Sequence, residues 1–164
     1  MLNKQSGFQS NICDILISFT GELTPSGIEG WQRFYNSIGV DIDFFKTYFR
    51  KASVSFSENS NRSSSGTFYT QKLTLSFPEK FDGLRADRIA QLDKIKFITL
   101  NMSNGKSLVL GRNDFNQNTK PKIEVQSNNK ITQLSVEFQS IFPTGYIPTV
   151  DAFGLPTFFP VSFF

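Results

Sequence analysis

Histidine is absent from this 164-residue sequence, and cysteine occurs once, at Cys13. Without histidine there is no Ser-His-Asp or Cys-His nucleophile, no imidazole general base and no His-bearing zinc site. A single cysteine allows no internal disulfide and no cysteine cluster for zinc or iron–sulfur. No apolar run approaches the roughly 18–20 residues that span a bilayer. Met1 to Gly7 lack the apolar stretch of a secretion signal, so the chain is expected to fold in a cytoplasm, away from membranes. Charge is sparse too. Asp, Glu, Lys and Arg make up 19% of residues, and the net charge of +3 is too small to imply nucleic-acid binding by itself.

Phenylalanine is plentiful, with 19 Phe against four Tyr and one Trp. Phe buries area without a polar handle, which suits contact surface better than recognition of a polar ligand. The length fits one domain with a real core. Net charge is −3 over residues 1–43, +8 over 44–130 and −2 over 131–164. Acidic ends around a basic middle would let the arm of one copy meet the body of the next. Uneven charge is also common on solvated surfaces.

Short strand patterns dominate. Ile12 to Phe19 reads as an Ile-rich strand bounded by Asn11 and Thr20-Gly21, with Cys13 expected as a small buried hydrophobe. Ile28 to Ser37 has apolar residues at helical spacing, though Gly30 weakens it. Ala52 to Ser57 alternates, with Val54 and Phe56 on one face. Glu58 to Gly66 contains no apolar residue and is expected to be a mobile loop. Thr67 to Phe77 alternates again, placing Tyr69, Gln71, Leu73, Leu75 and Phe77 together. These segments predict a long hairpin. Leu84 to Lys94 predicts a helix N-capped by Asp82, with Leu84, Ile89, Leu92 and Ile95 on its apolar side. Two more hairpins follow. One joins Ile95–Met102 to Lys106–Leu110 through a two-residue Asn104-Gly105 turn. The other joins Lys122–Gln126 to Ile131–Phe138, whose buried face carries Leu134, Val136 and Phe138. The fold class expected is mainly β: a sandwich or barrel built from hairpins, with one packed α-helix near 84–94 and extended terminal arms. Residues 1–141 form the domain and residues 142–164 a Phe/Pro-rich arm.

Four of the seven prolines, Pro143, Pro148, Pro156 and Pro160, lie in that arm among six phenylalanines from Phe142 to Phe164. Proline this frequent excludes a regular helix, and Phe this frequent excludes an ordinary solvated tail. The arm should therefore run extended across an apolar surface, its own or a neighbour's.

Catalytic chemistry finds few candidates. Asp41 with Asp43, and Glu79 with Asp82, are close carboxylate pairs of a kind common in solvated loops, and neither has calcium-loop spacing. Asn104-Gly105-Lys106-Ser107 echoes a phosphate loop, but Leu100 stands where the first glycine belongs. Asn61 and Asn101 open glycosylation sequons that carry no weight without secretion. Arg50, Lys51, Arg85, Arg88, Lys94 and Lys96, with Phe49 and Phe97, sketch a basic aromatic face that also fits an ordinary solvated helix flank. No catalytic residue, metal or cofactor is assigned.

The order of features from Arg50 to about 140 resembles a family. A strand ends in Arg50-Lys51-Ala52-Ser53, a polar loop leads to Gly66-Thr67-Phe68-Tyr69-Thr70-Gln71-Lys72-Leu73-Thr74-Leu75-Ser76-Phe77-Pro78, and a short helix follows. The Asn104-Gly105-Lys106 hairpin then closes on Val109-Leu110-Gly111. This resembles small structural proteins from the tail modules of tailed bacteriophages and prophages of Bacteroidetes. The resemblance implies a tail-tube-like β-sandwich or barrel without enzymatic activity. It implies assembly through sheet edges, loops and terminal arms, with copies of itself in rings, six-fold as a rule, and with other tail proteins. It further implies a virion location after synthesis in the host cytoplasm, and a lumen through which DNA passes. Subunit contacts are then expected at Phe153, Leu155, Phe158, Phe159, Phe163 and Phe164 of the arm, and at Arg62 and Tyr69 of the hairpin. The alternative expectation is a monomeric β-sandwich that binds a glycan or a protein.

Overall fold

The computed structural model describes residues 11–19, 45–47, 53–78, 83–117 and 119–148. These form nine strands, one α-helix and a 3-10 turn. In chain order they are β1 (Ile12–Ser18), β2 (Phe45–Thr47), β3 (Ser55–Ser63), β4 (Gly66–Pro78), α1 (Arg85–Leu92), β5 (Phe97–Met102) and β6 (Lys106–Leu110). The 3-10 turn (Asp114–Asn116), β7 (Lys122–Ser127), β8 (Ile131–Ser140) and β9 (Tyr146–Pro148) complete them.

The strands make two antiparallel sheets. One has the order β2-β1-β5-β6-β9, the other β3-β4-β8-β7. Alternation decides which residues meet between them. Ile15 and Ile17 of β1, Ile98 and Leu100 of β5, and Leu108 and Leu110 of β6 join Leu73, Leu75 and Phe77 of β4 and Leu134, Val136 and Phe138 of β8 in one buried cluster. Leu92 at the end of α1 and Ile95 just beyond it close the same cluster. The mainly β, sandwich-like expectation holds, and so do the inward faces assigned to β4 and β8.

Five local expectations change. Cys13 is exposed, not buried. The β1–β5 register shifts between Ile12 and Asp14, so Cys13 is the extra residue of a β-bulge and turns outward. The helix has Leu84 at its N-cap with no side-chain cap bond, while Asp82 lies outside the described residues. Leu84 is 62% exposed, so the packed side of α1 is narrower than its apolar pattern. The β5–β6 loop spans three residues, because Asn101 pairs with Ser107 and only Gly105 takes positive φ, at 75°. That is the three-residue hairpin with its left-handed position last.

The fourth concerns residues 58–66, expected as a mobile loop. Strand β3 runs through Ser63 and pairs with β4 down to Ser63↔Gly66, leaving only Ser64-Ser65 as the turn. A two-stranded ladder pairs half of the strand's backbone groups and leaves the rest to water, so a strand forms without burying side chains and polar composition does not forbid it. The segment expected to leave the body at 142 stays on it through 148, where Tyr146–Pro148 pairs with Lys106–Leu108 of β6.

Candidate functional site

Strand β3 is one edge of the four-stranded sheet, and among the described residues nothing pairs with its outer side. Its register with β4 is unbroken over nine residue pairs. Beyond Tyr69↔Ser140, where β8 ends, β3 and β4 continue as a free two-stranded arm. Residues 59–67 are all exposed there.

Antiparallel geometry determines which backbone groups the edge presents. Residues alternate between those bonded to the neighbouring strand and those pointing away. The two-residue turn makes Ser63 and Gly66 a bonded pair, so Ser55, Ser57, Asn59, Asn61 and Ser63 bond to β4. Ser76 confirms the parity from the β4 side: its N–H donates to Ser53 Oγ at 3.0 Å and its carbonyl accepts from the same hydroxyl at 3.2 Å. The N–H and C=O of Phe56, Glu58, Ser60 and Arg62 therefore point out of the sheet.

The opposite edge differs. Strand β7 follows Pro121 and carries Lys122 and Glu124 outward, the residue types that discourage strand addition. Lys122 Nζ and Glu124 Oε1 are 3.0 Å apart, both side chains being more than half exposed. Their hydrogen bond, then their mutual charge, raises the Lys122 pKa and lowers that of Glu124. The outward side chains of β3 are Ser and Asn throughout.

Glu58 anchors the base of the arm. Its Oε2 accepts from Gln71 Nε2 at 3.0 Å and from the Thr144 N–H at 2.7 Å, as well as from the Thr144 hydroxyl. Strand β3 is thereby tied to the segment leading into β9. A second clasp holds the far end of β8. Buried Asn113, at φ 36°, donates to the Thr119 and Lys120 carbonyls and accepts from the Gln139 N–H at 2.9 Å. Arg112 is paired with Asp114 and lies over the Phe142 ring, 4.3 Å from its centroid, and Asp114 also accepts from the Ile141 N–H. Phe68 and Phe115 stack with centroids 4.5 Å apart beside that clasp.

No protein-family model, curated protein or solved structure matches this chain. Function must therefore be read from the site itself.

The outer face of the four-stranded sheet holds a shallow depression of about 230 Å³ lined by Lys72, Thr74, Glu124, Gln126, Gln133 and Ser135. That is below the ~300 Å³ at which small-molecule pockets begin. No cluster of three or more His, Cys, Asp or Glu capable of holding a metal occurs among the described residues.

Of the expected contact residues, Arg62 is exposed and Tyr69 half-buried, and both face the inner side of the arm as diagonal neighbours. Phe153, Leu155, Phe158, Phe159, Phe163 and Phe164 lie outside the described residues, as do Asp41, Asp43, Glu79 and Asp82. Of the sketched basic face, Lys94 is exposed and Arg85, Arg88 and Lys96 are half-buried. Phe97 is buried and Arg85 donates to Ser127 Oγ at 2.8 Å, while Phe49, Arg50 and Lys51 lie outside the described residues. Asn101 of the second sequon is buried against Ser107. The sequence leads to exposed sheet edges in general but not to β3 as the open one, because residues 58–66 read as a loop. The signal for that edge was the Ser/Asn alternation from Ser55 to Ser63, uninterrupted by Pro, Gly or Lys.

Proposed function

We propose that this chain is a non-enzymatic structural subunit that works by assembling with copies of itself through sheet edges, the role implied by its resemblance to phage tail proteins. The β3 edge carries this reading. A nine-residue regular edge without proline or bulge is a template for strand addition. Its solvent-face side chains are Ser and Asn, and its two charges, Glu58 and Arg62, lie on the inner face, so it admits a strand of complementary charge, whereas β7 presents Lys122 and Glu124 after Pro121. In the tail reading the copies form rings, six-fold in the usual case, stacked with other tail proteins around a lumen that passes DNA, and the finished protein resides in the virion.

The depression on the outer sheet face favours a second reading, a monomeric module whose Thr, Gln and Ser side chains hold a polar ligand such as a glycan. Native mass and electron-microscopic imaging of the purified protein separate the two. Rings, tubes or discrete oligomers are expected. A monomer at all accessible concentrations that binds sugars would replace the assembly reading with the binding one.

A further inference from the structure

We infer that the partner of the β3 edge is the β3 edge of a second copy, paired antiparallel about a two-fold axis through Ser60. This rests on the reading that the edge joins copies of the chain, and it specifies the register of that contact.

An antiparallel pair of identical strands closes on itself, so the whole contact is defined by which residue lies on the axis. The outward-pointing backbone groups belong to Phe56, Glu58, Ser60 and Arg62, and an in-register ladder must bond these to one another across the axis. Charge then selects among the registers. An axis through Glu58 sets Glu58 against Glu58, and one through Arg62 sets two arginines together; like charges directly opposite are destabilising. The axis through Ser60 sets Glu58 of each copy against Arg62 of the other and Ser60 against Ser60. An axis through Asn59 sets Glu58 against Ser60 and leaves both charges without opposite partners.

The side chains can make these contacts. Glu58 and Arg62 share the inner face, as they are four residues apart on one strand. The three bonds Glu58 receives all end on Oε2, leaving Oε1 to accept from the guanidinium. Among the described residues Arg62 has no ion-pair partner. The geometry also places the arms. With Ser60 on the axis, Ser57 lies opposite Ser63, so the arm of each copy runs along the last stretch of β3 that β4 and β8 back in the other. An isologous contact of this kind stops at two copies, and a head-to-tail ring uses other surfaces.

Cysteine cross-linking reads the register directly in the full chain carrying Cys13→Ser. Ser60→Cys should give a covalent dimer under mild oxidation, because facing Cα atoms about 5.5 Å apart lie within disulfide range. Asn59→Cys and Asn61→Cys, facing each other and not themselves, should cross-link at least about tenfold more slowly, since their self-pairs are out of disulfide reach. Ser60→Pro removes an N–H that serves only the second copy, and should abolish the dimer in sedimentation while circular dichroism stays unchanged. Arg62→Glu should weaken the dimer at least about tenfold by facing Glu58 with a like charge. Fast cross-linking at Asn59 would overturn the register. Oligomers that persist in Ser60→Pro would overturn the β3–β3 contact while leaving the assembly reading intact. A parent protein that stays monomeric at every concentration would overturn both.

Discussion

At the scale of the residue, backbone constraints outrank composition. Gly111 follows β6 at φ 150°, and a Cβ there would stand 2.3 Å from Phe97 Cδ1 and 2.9 Å from the Lys96 carbonyl oxygen. Phe97 is buried and cannot retreat. Gly111→Ala is therefore expected to cost about 2–4 kcal/mol, combining left-handed backbone strain with overpacking. Urea unfolding monitored by circular dichroism measures it, and a loss within error of zero would mean that the β6 exit relaxes freely. Asn113 also takes positive φ, and its side-chain bonds reach the Thr119, Lys120 and Gln139 backbone. Asn113→Ala should cost roughly 1–2 kcal/mol, because the clasp loses three part-buried hydrogen bonds, to the Thr119 and Lys120 carbonyls and from the Gln139 N–H. The Lys122–Glu124 pair behaves differently. Glu124 titrates below its ordinary value because of the Lys122 hydrogen bond and charge. A depressed carboxyl stabilises the folded state above its unfolded pKa, and that contribution disappears as pH falls through the folded value. Both side chains are solvated, so the effect on stability is small. Lys122→Met should return the Glu124 titration toward the ordinary range in carboxyl-detected NMR while leaving the acid-unfolding midpoint in place.

At the scale of the element, the arm is separable from the body. It begins where β8 stops, and residues 59–67 are all exposed. Replacing Arg62 to Thr67 with Asn-Gly closes the hairpin at the bonded pair Asn61↔Phe68 and keeps the Phe68–Phe115 stack. The melting temperature is expected to move by no more than about 2–4 °C, the shift that ~1 kcal/mol produces in a chain of this size, while self-association is lost. A large destabilisation would show that the arm packs on the body. Elements also show what was legible beforehand. The alternation of Tyr69 to Phe77 and of Thr132 to Phe138 carried the inward faces of β4 and β8 into the sequence, since period-two patterning is local. The strand order was not legible. Which strand becomes an edge depends on pairings between residues far apart in the chain, such as β1 with β5 and β4 with β8. The polar run from Glu58 to Ser63 reads as a loop because it has nothing to bury, whereas a hairpin arm needs only its ladder and water on the open side. The bulge at Cys13 was invisible for a related reason: one unpaired residue reverses a side chain's facing without altering composition.

At the scale of the molecule, the open edge divides the backbone of β3 into two populations with different fates. The amides of Ser57, Asn59 and Asn61 donate within the chain to β4, whereas those of Glu58, Ser60 and Arg62 face outward. Hydrogen exchange therefore distinguishes a lone subunit from an assembled one by parity along a single strand. In dilute protein the outward amides of Glu58, Ser60 and Arg62 should exchange near the rate of an unstructured chain, while those of Asn59 and Asn61 are slowed by the hairpin ladder. In concentrated protein the outward set should slow as a group, because each N–H then bonds to the second copy. Amides of β5, buried in the body, should exchange slowest under both conditions, since their opening requires the core of both sheets to come apart. If concentration slowed the amides of β7 and left Ser60 unchanged, the association would run through the charged edge instead. The open edge of β3 would then be solvated by choice of its Ser and Asn side chains, not by want of a partner.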